Sequence, residues 1–296
     1  MKKVGFIGLG IMGKPMAINL VKAGIPLMVL DLNKEAVKEL LDLGAVAANS
    51  PKDIGENCDV IFTILPNGKI VENVVLGTNG IVEGIKSGTV IVDMSSVSPV
   101  ETEVLNKKLT EIECFILDAP VSGGEPKAVT GELAFMVGGE QEAFDKVMPY
   151  FDIMGSSALL VGKSGCGSTV KLANQIIVNL NIAAMSEGLV LAAKAGVDPE
   201  KLFHAIKGGL AGSAVLNAKV PLIVERNFVA GGRIDINMKD MTNVMATAHA
   251  LDVPLPLSSN LLEIMHALNA DGKGTDDHGG IVQYFEKLAG IEVKRV

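Results

Sequence analysis

Residues 4–31 read VGFIGLGIMGKPMAINLVKAGIPLMVLD: an apolar run, three glycines, a helix-like stretch, and a second apolar run ending in an acid. Gly8, Gly10 and Gly13 stand at GxGxxG spacing, with Leu9, Ile11 and Met12 between them. The pattern predicts a strand, a tight turn and a helix. Gly8 permits the turn, Gly10 lets the backbone approach a pyrophosphate, and Gly13 lets the helix pack close to the strand, its N-terminus facing the anion. Asp31 comes 18 residues after Gly13, which puts a carboxylate at the end of the second strand, within reach of ribose hydroxyls and repulsive to a 2′-phosphate. The segment therefore predicts a dinucleotide site that favours NAD. Leu32 supplies no arginine for a phosphate, while Asn33 and Lys34 keep NADP open.

Working outward, strand-like and helix-like stretches alternate. Asn33 can cap a helix of roughly 34–43 that stops at Gly44, and Ser50 with Pro51 opens another. DVIFTIL (59–65) and TVIVDMS (89–95) are continuous apolar runs, the pattern of parallel strands covered on both faces. CFILDAP (114–120) and LAFMVGG (133–139) continue the sheet. The expected fold is α/β: an N-terminal doubly wound parallel Rossmann domain, residues 1–163, with its site loops at the carboxyl ends of the strands. From GKSGCGS (162–168) onward helical spacing dominates, predicting an all-α domain over 164–296. Its first helix, from about Ser168 to Ala195, carries Lys171 and Asn174 three residues apart and so on one face. Asp198 with Pro199 starts the next helix, and Pro254 with Pro256 marks a later break.

Composition bounds the function. A chain of 296 residues is long enough for two domains with separate cores. A net charge of -8 provides no global basic field for nucleic acid or an anionic membrane surface, so a small anionic ligand must be held locally. The hydrophobic share of 48% and mean hydropathy of +0.39 predict long buried helices or a sizeable subunit interface, hence a homo-oligomer. The uncharged run 172–186 includes three Asn, a Gln and a Ser, too short and polar for a bilayer span. MKKVGFIGLG reads as a strand and phosphate loop rather than a leader, because Lys14 interrupts the run and no small-residue cleavage site follows. Cys58, Cys114 and Cys166 lack CxxC pairing, which suits a reducing cytoplasm. No Cys/His arrangement has ligand spacing, so no metal is expected. His204, His249 and His266 read as helix surface or core, Cys166 as a packing residue at a helix entry, and Asp276, Asp277 and His278 as a solvated Gly-rich loop.

GLGIMG, DAPVSGG (118–124), GCGSTVKLANQ (165–175) and the Lys239–Asp240 pair in NMKD occur in the order and spacing of the β-hydroxyacid dehydrogenases, which the chain resembles over essentially its whole length. The extensions GGEPKA (123–128), KLANQ (171–175), NIAAMSE (181–187) and GGLAGS (208–213) resemble one branch of that family, acting on a three-carbon semialdehyde and its hydroxy acid. The resemblance implies an NAD(P)-dependent enzyme with Lys171 as general acid/base. It further implies Ser122, Gly123 and Gly124 as the carboxylate loop, Asn174 as a substrate contact, and Leu65, Pro66, Ser96 and Lys239 as cofactor contacts. Ser95 competes with Ser96, and a surface salt bridge competes as the role of Lys239. Such chemistry needs a proton donor, because hydride transfer to an aldehyde develops negative charge on its oxygen. Sister enzymes acting on 3-hydroxyisobutyrate or other semialdehydes share these motifs; a non-catalytic dinucleotide sensor would need only the first domain's glycine loop.

Overall fold

The computed structural model describes residues 3–295; Met1, Lys2 and Val296 lie outside the described residues. Two compact units emerge, Met1–Lys171 and Leu172–Val296. The division falls inside a long helix, eight residues beyond the expected 163/164 boundary, because the helix's first turn is bonded into the first unit.

The first unit runs β1 (Val4–Ile7), α1 (Gly13–Lys22), β2 (Leu27–Leu30), α2 (Lys34–Asp42), β3 (Val46–Ala47), α3 (Pro51–Asn57), β4 (Val60–Thr63) and α4 (Gly68–Leu76). It continues with β5 (Val90–Asp93), α5 (Pro99–Thr110), β6 (Phe115–Asp118), β7 (Val121–Ser122), α6 (Gly124–Thr130), β8 (Leu133–Gly138), α7 (Gln141–Met154) and β9 (Gly155–Gly162). Helix starts follow local chemistry: Asn33, Ser50, Asn67 and Ser98 each accept backbone N–H bonds from the first turn they cap. The sheet order is β3-β2-β1-β4-β5-β6-β8-β7, with β9 beside β8. From β3 to β6 every pair is parallel, and the order reverses between β1 and β4, the switch point where α/β sheets bind ligands.

Alternation explains the continuous apolar runs. Phe6, Phe62, Val92 and Leu117 enter one buried cluster, while their neighbours Ile7, Ile61, Ile91 and Ile116 enter another on the opposite face. One expectation is corrected: LAFMVGG does not extend the parallel sheet, since β8 runs antiparallel to β6 and β7. Between β6 and β8 the chain passes through the two-residue strand β7 and the seven-residue α6, and β7 also pairs antiparallel with β8.

The second unit is helical. α8 (Cys166–Lys194) leads into it from the first, followed by α9 (Pro199–Ile206), α10 (Ala214–Val224), α11 (Ile234–Ala250), α12 (Pro256–Ala270) and α13 (Val282–Ala289). Asp198 and Ser213 cap their helices, and the core gathers Ile182, Val220, Ile223, Ile234, Met241 and Met265. At 29 residues α8 is long and apolar enough to cross a membrane by length and composition, more so than the run 172–186 suggested. Asn179 and Ser186 on it are fully buried, and their side chains donate to the Gln175 and Ile182 carbonyls one turn back in the same helix.

Candidate active site

The glycine loop leaves β1 at Gly8, whose φ of +102° and position against the Ile64 carbonyl admit no side chain. At Gly13 a Cβ would stand 2.0 Å from the Gly8 carbonyl, so α1 is pressed onto the loop. Gly10 differs: a Cβ there would meet nothing within 4 Å. The protein's own packing therefore does not demand glycine at 10, and the space beside it is open to a ligand. Leu9 is buried in the core, Ile11 is exposed, and Met12 is half-buried, so only the backbone of this stretch is common to the site. The Asp31 carboxylate closes the loop, accepting Leu9 N–H at 2.5 Å through Oδ2 and Asn33 N–H at 2.6 Å through Oδ1. Asn33 in turn is committed to capping α2 through Glu35 N–H and Ala36 N–H. These residues fit a dinucleotide.

Beside the switch point, the loops after β4 and β5 are tied together. Leu65 N–H donates to Ser95 Oγ at 2.8 Å, Ser95 Oγ donates to Asp93 Oδ1 at 2.6 Å, and Thr63 Oγ1 donates to the same oxygen at 2.7 Å. Ser95 is 1% exposed with its hydroxyl in this relay, and Ser96 beside it is half-buried. Leu65 leans toward Gly8, and Pro66 is exposed at the same strand end. Burial pushes the Asp93 carboxyl up to about 6, against the lowering effect of the Ser95 and Thr63 bonds.

After β6 the chain enters the loop of Ser122, Gly123 and Gly124, with φ of +136° and +71° at the two glycines. Lys171 Nζ donates to the Val121 carbonyl at 2.9 Å, which brings its ammonium to this loop. In the second unit, Asn174 Nδ2 donates to Gln175 Oε1 at 3.1 Å, Gln175 Nε2 donates to Asp240 Oδ2 at 2.7 Å, and Asp240 Oδ1 lies 3.2 Å from Lys239 Nζ. Asp240 is 4% exposed, while the Lys239 side chain that pairs with it is 34% exposed. Asp93, Asp118 and Gln175 are not among the candidates read from the sequence, yet each is buried and hydrogen-bonded close to them in the chain; an acid ending an apolar strand run, and an amide inside an apolar helix, are the signals that mark them.

Residues 3–162 match the family described as the NAD binding domain of 6-phosphogluconate dehydrogenase, and residues 165–285 match NAD-binding of NADP-dependent 3-hydroxyisobutyrate dehydrogenase. The chain is 43% identical over 287 residues to 2-hydroxy-3-oxopropionate reductase of Escherichia coli (strain K12), covering 97% of this chain and 98% of that one. The chain belongs to the NAD(P)-dependent β-hydroxyacid dehydrogenases. Another dehydrogenase relative, 2-(hydroxymethyl)glutarate dehydrogenase of Eubacterium barkeri, is 37% identical over 98% of this chain and 97% of its own. Among solved structures, the 3-hydroxyisobutyrate dehydrogenase of Salmonella typhimurium superposes with a TM-score of 0.84 at 30% identity, covering 96% of this chain and 99% of that one. That of Mycobacterium tuberculosis, with L-serine, reaches 0.90 at 26% identity over 96% and 99%.

Other candidates of this β-hydroxyacid dehydrogenase take structural places. His204, His249 and His266 are exposed on helices, and Cys166 Sγ packs against Gly162. Among the described residues no group of three His, Cys, Asp or Glu gathers as for a metal. The solvated-loop expectation for 276–278 is corrected: Asp277 is 1% exposed and accepts from Lys219 Nζ at 2.8 and 2.9 Å and from the N–H groups of Gly231, Gly232 and Gly279. Its partners lie up to 58 residues away, beyond what local glycine content reveals. Burial holds the neighbouring His278 imidazole down at about 4, so it stays neutral at physiological pH.

Proposed function

We propose that this β-hydroxyacid dehydrogenase is a reductase interconverting tartronate semialdehyde (2-hydroxy-3-oxopropanoate) and glycerate, with Lys171 as general acid/base. The observation that supports the proton-transfer role is the 2.9 Å bond from Lys171 Nζ to the Val121 carbonyl, which holds the side chain next to the Ser122–Gly124 loop that the family resemblance assigns to the substrate carboxylate. The substrate reading is supported by likeness to the E. coli 2-hydroxy-3-oxopropionate reductase and by the extensions at 123–128, 171–175, 181–187 and 208–213.

When bound, the nicotinamide supplies the hydride for the aldehyde carbon. Lys171 Nζ gives its proton to the aldehyde oxygen as negative charge develops there, completing the hydroxyl of glycerate. Ser122 Oγ and the backbone N–H groups of Gly123 and Gly124 hold the substrate carboxylate. Asn174, steadied by Gln175, takes the substrate hydroxyl. Gly8 to Gly13 receive the pyrophosphate; Asp31 the ribose; Leu65, Pro66 and Ser96 the nicotinamide side; and Lys239, paired with Asp240, a further part of the cofactor. NAD is favoured, since Asp31 repels a 2′-phosphate and Asn33 is committed to its cap. The three free cysteines suit the cytoplasm, and exposed Leu191, Leu210 and Leu257 in the second unit suit a homo-oligomer.

The test compares kcat/KM for tartronate, methylmalonate and succinic semialdehydes with NADH and NADPH. Preference for tartronate semialdehyde with NADH is expected; preference for methylmalonate semialdehyde would reassign the enzyme to 3-hydroxyisobutyrate. In the same assay Lys171→Ala should lose on the order of a hundredfold in kcat while keeping its dinucleotide affinity. Undiminished turnover in that variant would remove Lys171 from the mechanism.

A further inference from the structure

The first turn of α8, which carries Lys171, is capped from across the fold. Asp118, at the end of β6 and 1% exposed, accepts Gly165 N–H at 2.8 Å through Oδ1 and Ser168 N–H at 2.7 Å through Oδ2. The donors lie 47 and 50 residues away in sequence, and each oxygen serves a different one. The same turn is clamped by packing. A Cβ on Gly167 would stand 2.3 Å from the Met136 carbonyl and 2.4 Å from the Asp118 carbonyl, so the helix start presses on β6 and β8. Thr102 Oγ1 adds a contact of 3.3 Å to Ser168 Oγ.

Asp118 stands three residues before Val121, and Ser168 three residues before Lys171. The one carboxylate thus joins the end of β6, three residues before the Val121 carbonyl on β7, to the turn of α8 that precedes Lys171. An anion suits this place because the N–H groups of a first turn have no partner within the helix and carry the positive end of its dipole. Burial raises the pKa of Asp118 above the usual carboxylate range, opposed by the Ser168 and Gly165 bonds.

We propose that Asp118 is a positioning residue for proton transfer, its carboxylate holding the first turn of α8 so that Lys171 Nζ stays at the Val121 carbonyl beside the Ser122–Gly124 loop. This rests on Lys171 being the proton donor. Displacing a reacting group by about an ångström costs as much as a hundredfold in rate, so a carboxylate that never touches substrate still governs turnover.

The test is a double-mutant cycle on the full-length enzyme with Asp118→Asn, Lys171→Ala and the pair, reading kcat and, by fluorescence titration, the Kd for NADH. Asparagine keeps the volume but offers one acceptor oxygen to two N–H donors. Asp118→Asn should lower kcat by about 10- to 100-fold and leave the NADH Kd within about threefold. In the Lys171→Ala background it should change kcat by less than about twofold, since the residue it acts through is gone. Full kcat in Asp118→Asn, or an equal loss in both backgrounds, overturns the proposal and leaves Asp118 a structural staple. If Lys171→Ala alone keeps full turnover, the proton-donor reading fails first and this proposal falls with it. Should Asp118→Asn fail to fold, Thr102→Val loosens the same turn without touching the carboxylate. About a threefold drop in kcat, absent in the Lys171→Ala background, is then expected, and undiminished kcat overturns the proposal.

Discussion

In the first unit Asp93 and Asp118 stand at the same level on neighbouring strands β5 and β6, whereas in the second unit Asp277 sits at the entry to the turn His278–Ile281. All three carboxylates are at most 2% exposed and richly hydrogen-bonded. Their company differs. Asp93 accepts from the Thr63 and Ser95 hydroxyls and from Ser95 N–H, and Asp118 accepts from the backbone N–H groups of Gly165 and Ser168, all of them uncharged donors. Asp277 has comparable burial and N–H donors, but also the Lys219 ammonium on both oxygens. Burial pushes Asp93 and Asp118 above the ordinary range; it pushes Asp277 the same way, yet the Lys219 bonds and charge overcome it and hold that carboxyl below. Neutral donors satisfy the lone pairs of a buried carboxylate, while a cation is needed to offset its lost hydration.

The largest test of this contrast removes the charge that has a cation. Asp277→Asn leaves Lys219, whose side chain is 14% exposed, without its counter-ion and should cost about 3–5 kcal/mol in denaturant unfolding of the second unit. A loss under about 1 kcal/mol would mean that the N–H donors, not the cation, sustain the site.

Asp93 gives the second test, through pH. Its folded pKa of about 6 lies above the ordinary value of 3.8, so the folded chain holds the proton more tightly and stability falls as pH rises between the two values. Below about 4 the cost is absent; above about 6 it is complete, roughly 3 kcal/mol. Asp93→Asn, measured against the native protein across this range, should gain that much relative stability from acid to neutral pH, whatever its constant offset. Parallel curves would mean that Asp93 is better solvated by its hydroxyl partners than the comparison holds.

The smallest effect belongs to the exposed pair of Lys14 and Glu39, 3.0 Å apart with side chains 37% and 53% exposed. Lys14→Met should change stability by less than about 0.5 kcal/mol. A change several times larger would show that ion pairing rather than burial separates the sites.

Much of the first unit was legible because its signals are local. The glycine spacing, the acid at 31, the caps at Asn33 and Ser50, and the double-faced strands all follow from residues within one or two turns of each other. The direction of β8 was not, since an apolar run does not reveal which neighbour it pairs with or in which sense. Nothing local in the sequence placed Ser95 in the Leu65–Ser95–Asp93 relay, which joins residues 30 apart. Asp277 was misread because glycines around it resemble a solvated loop while its cation comes from another helix.

By itself, then, the sequence determined the Rossmann unit, the helical unit after it and membership among the β-hydroxyacid dehydrogenases, because backbone periodicity and a phosphate loop are written in short-range spacing. Tertiary structure alone decided which acids are buried, which of them meet a cation, and that Asp118 caps the helix of Lys171. Those outcomes depend on groups tens of residues apart, whose meeting is set by packing and lost hydration rather than by any local pattern.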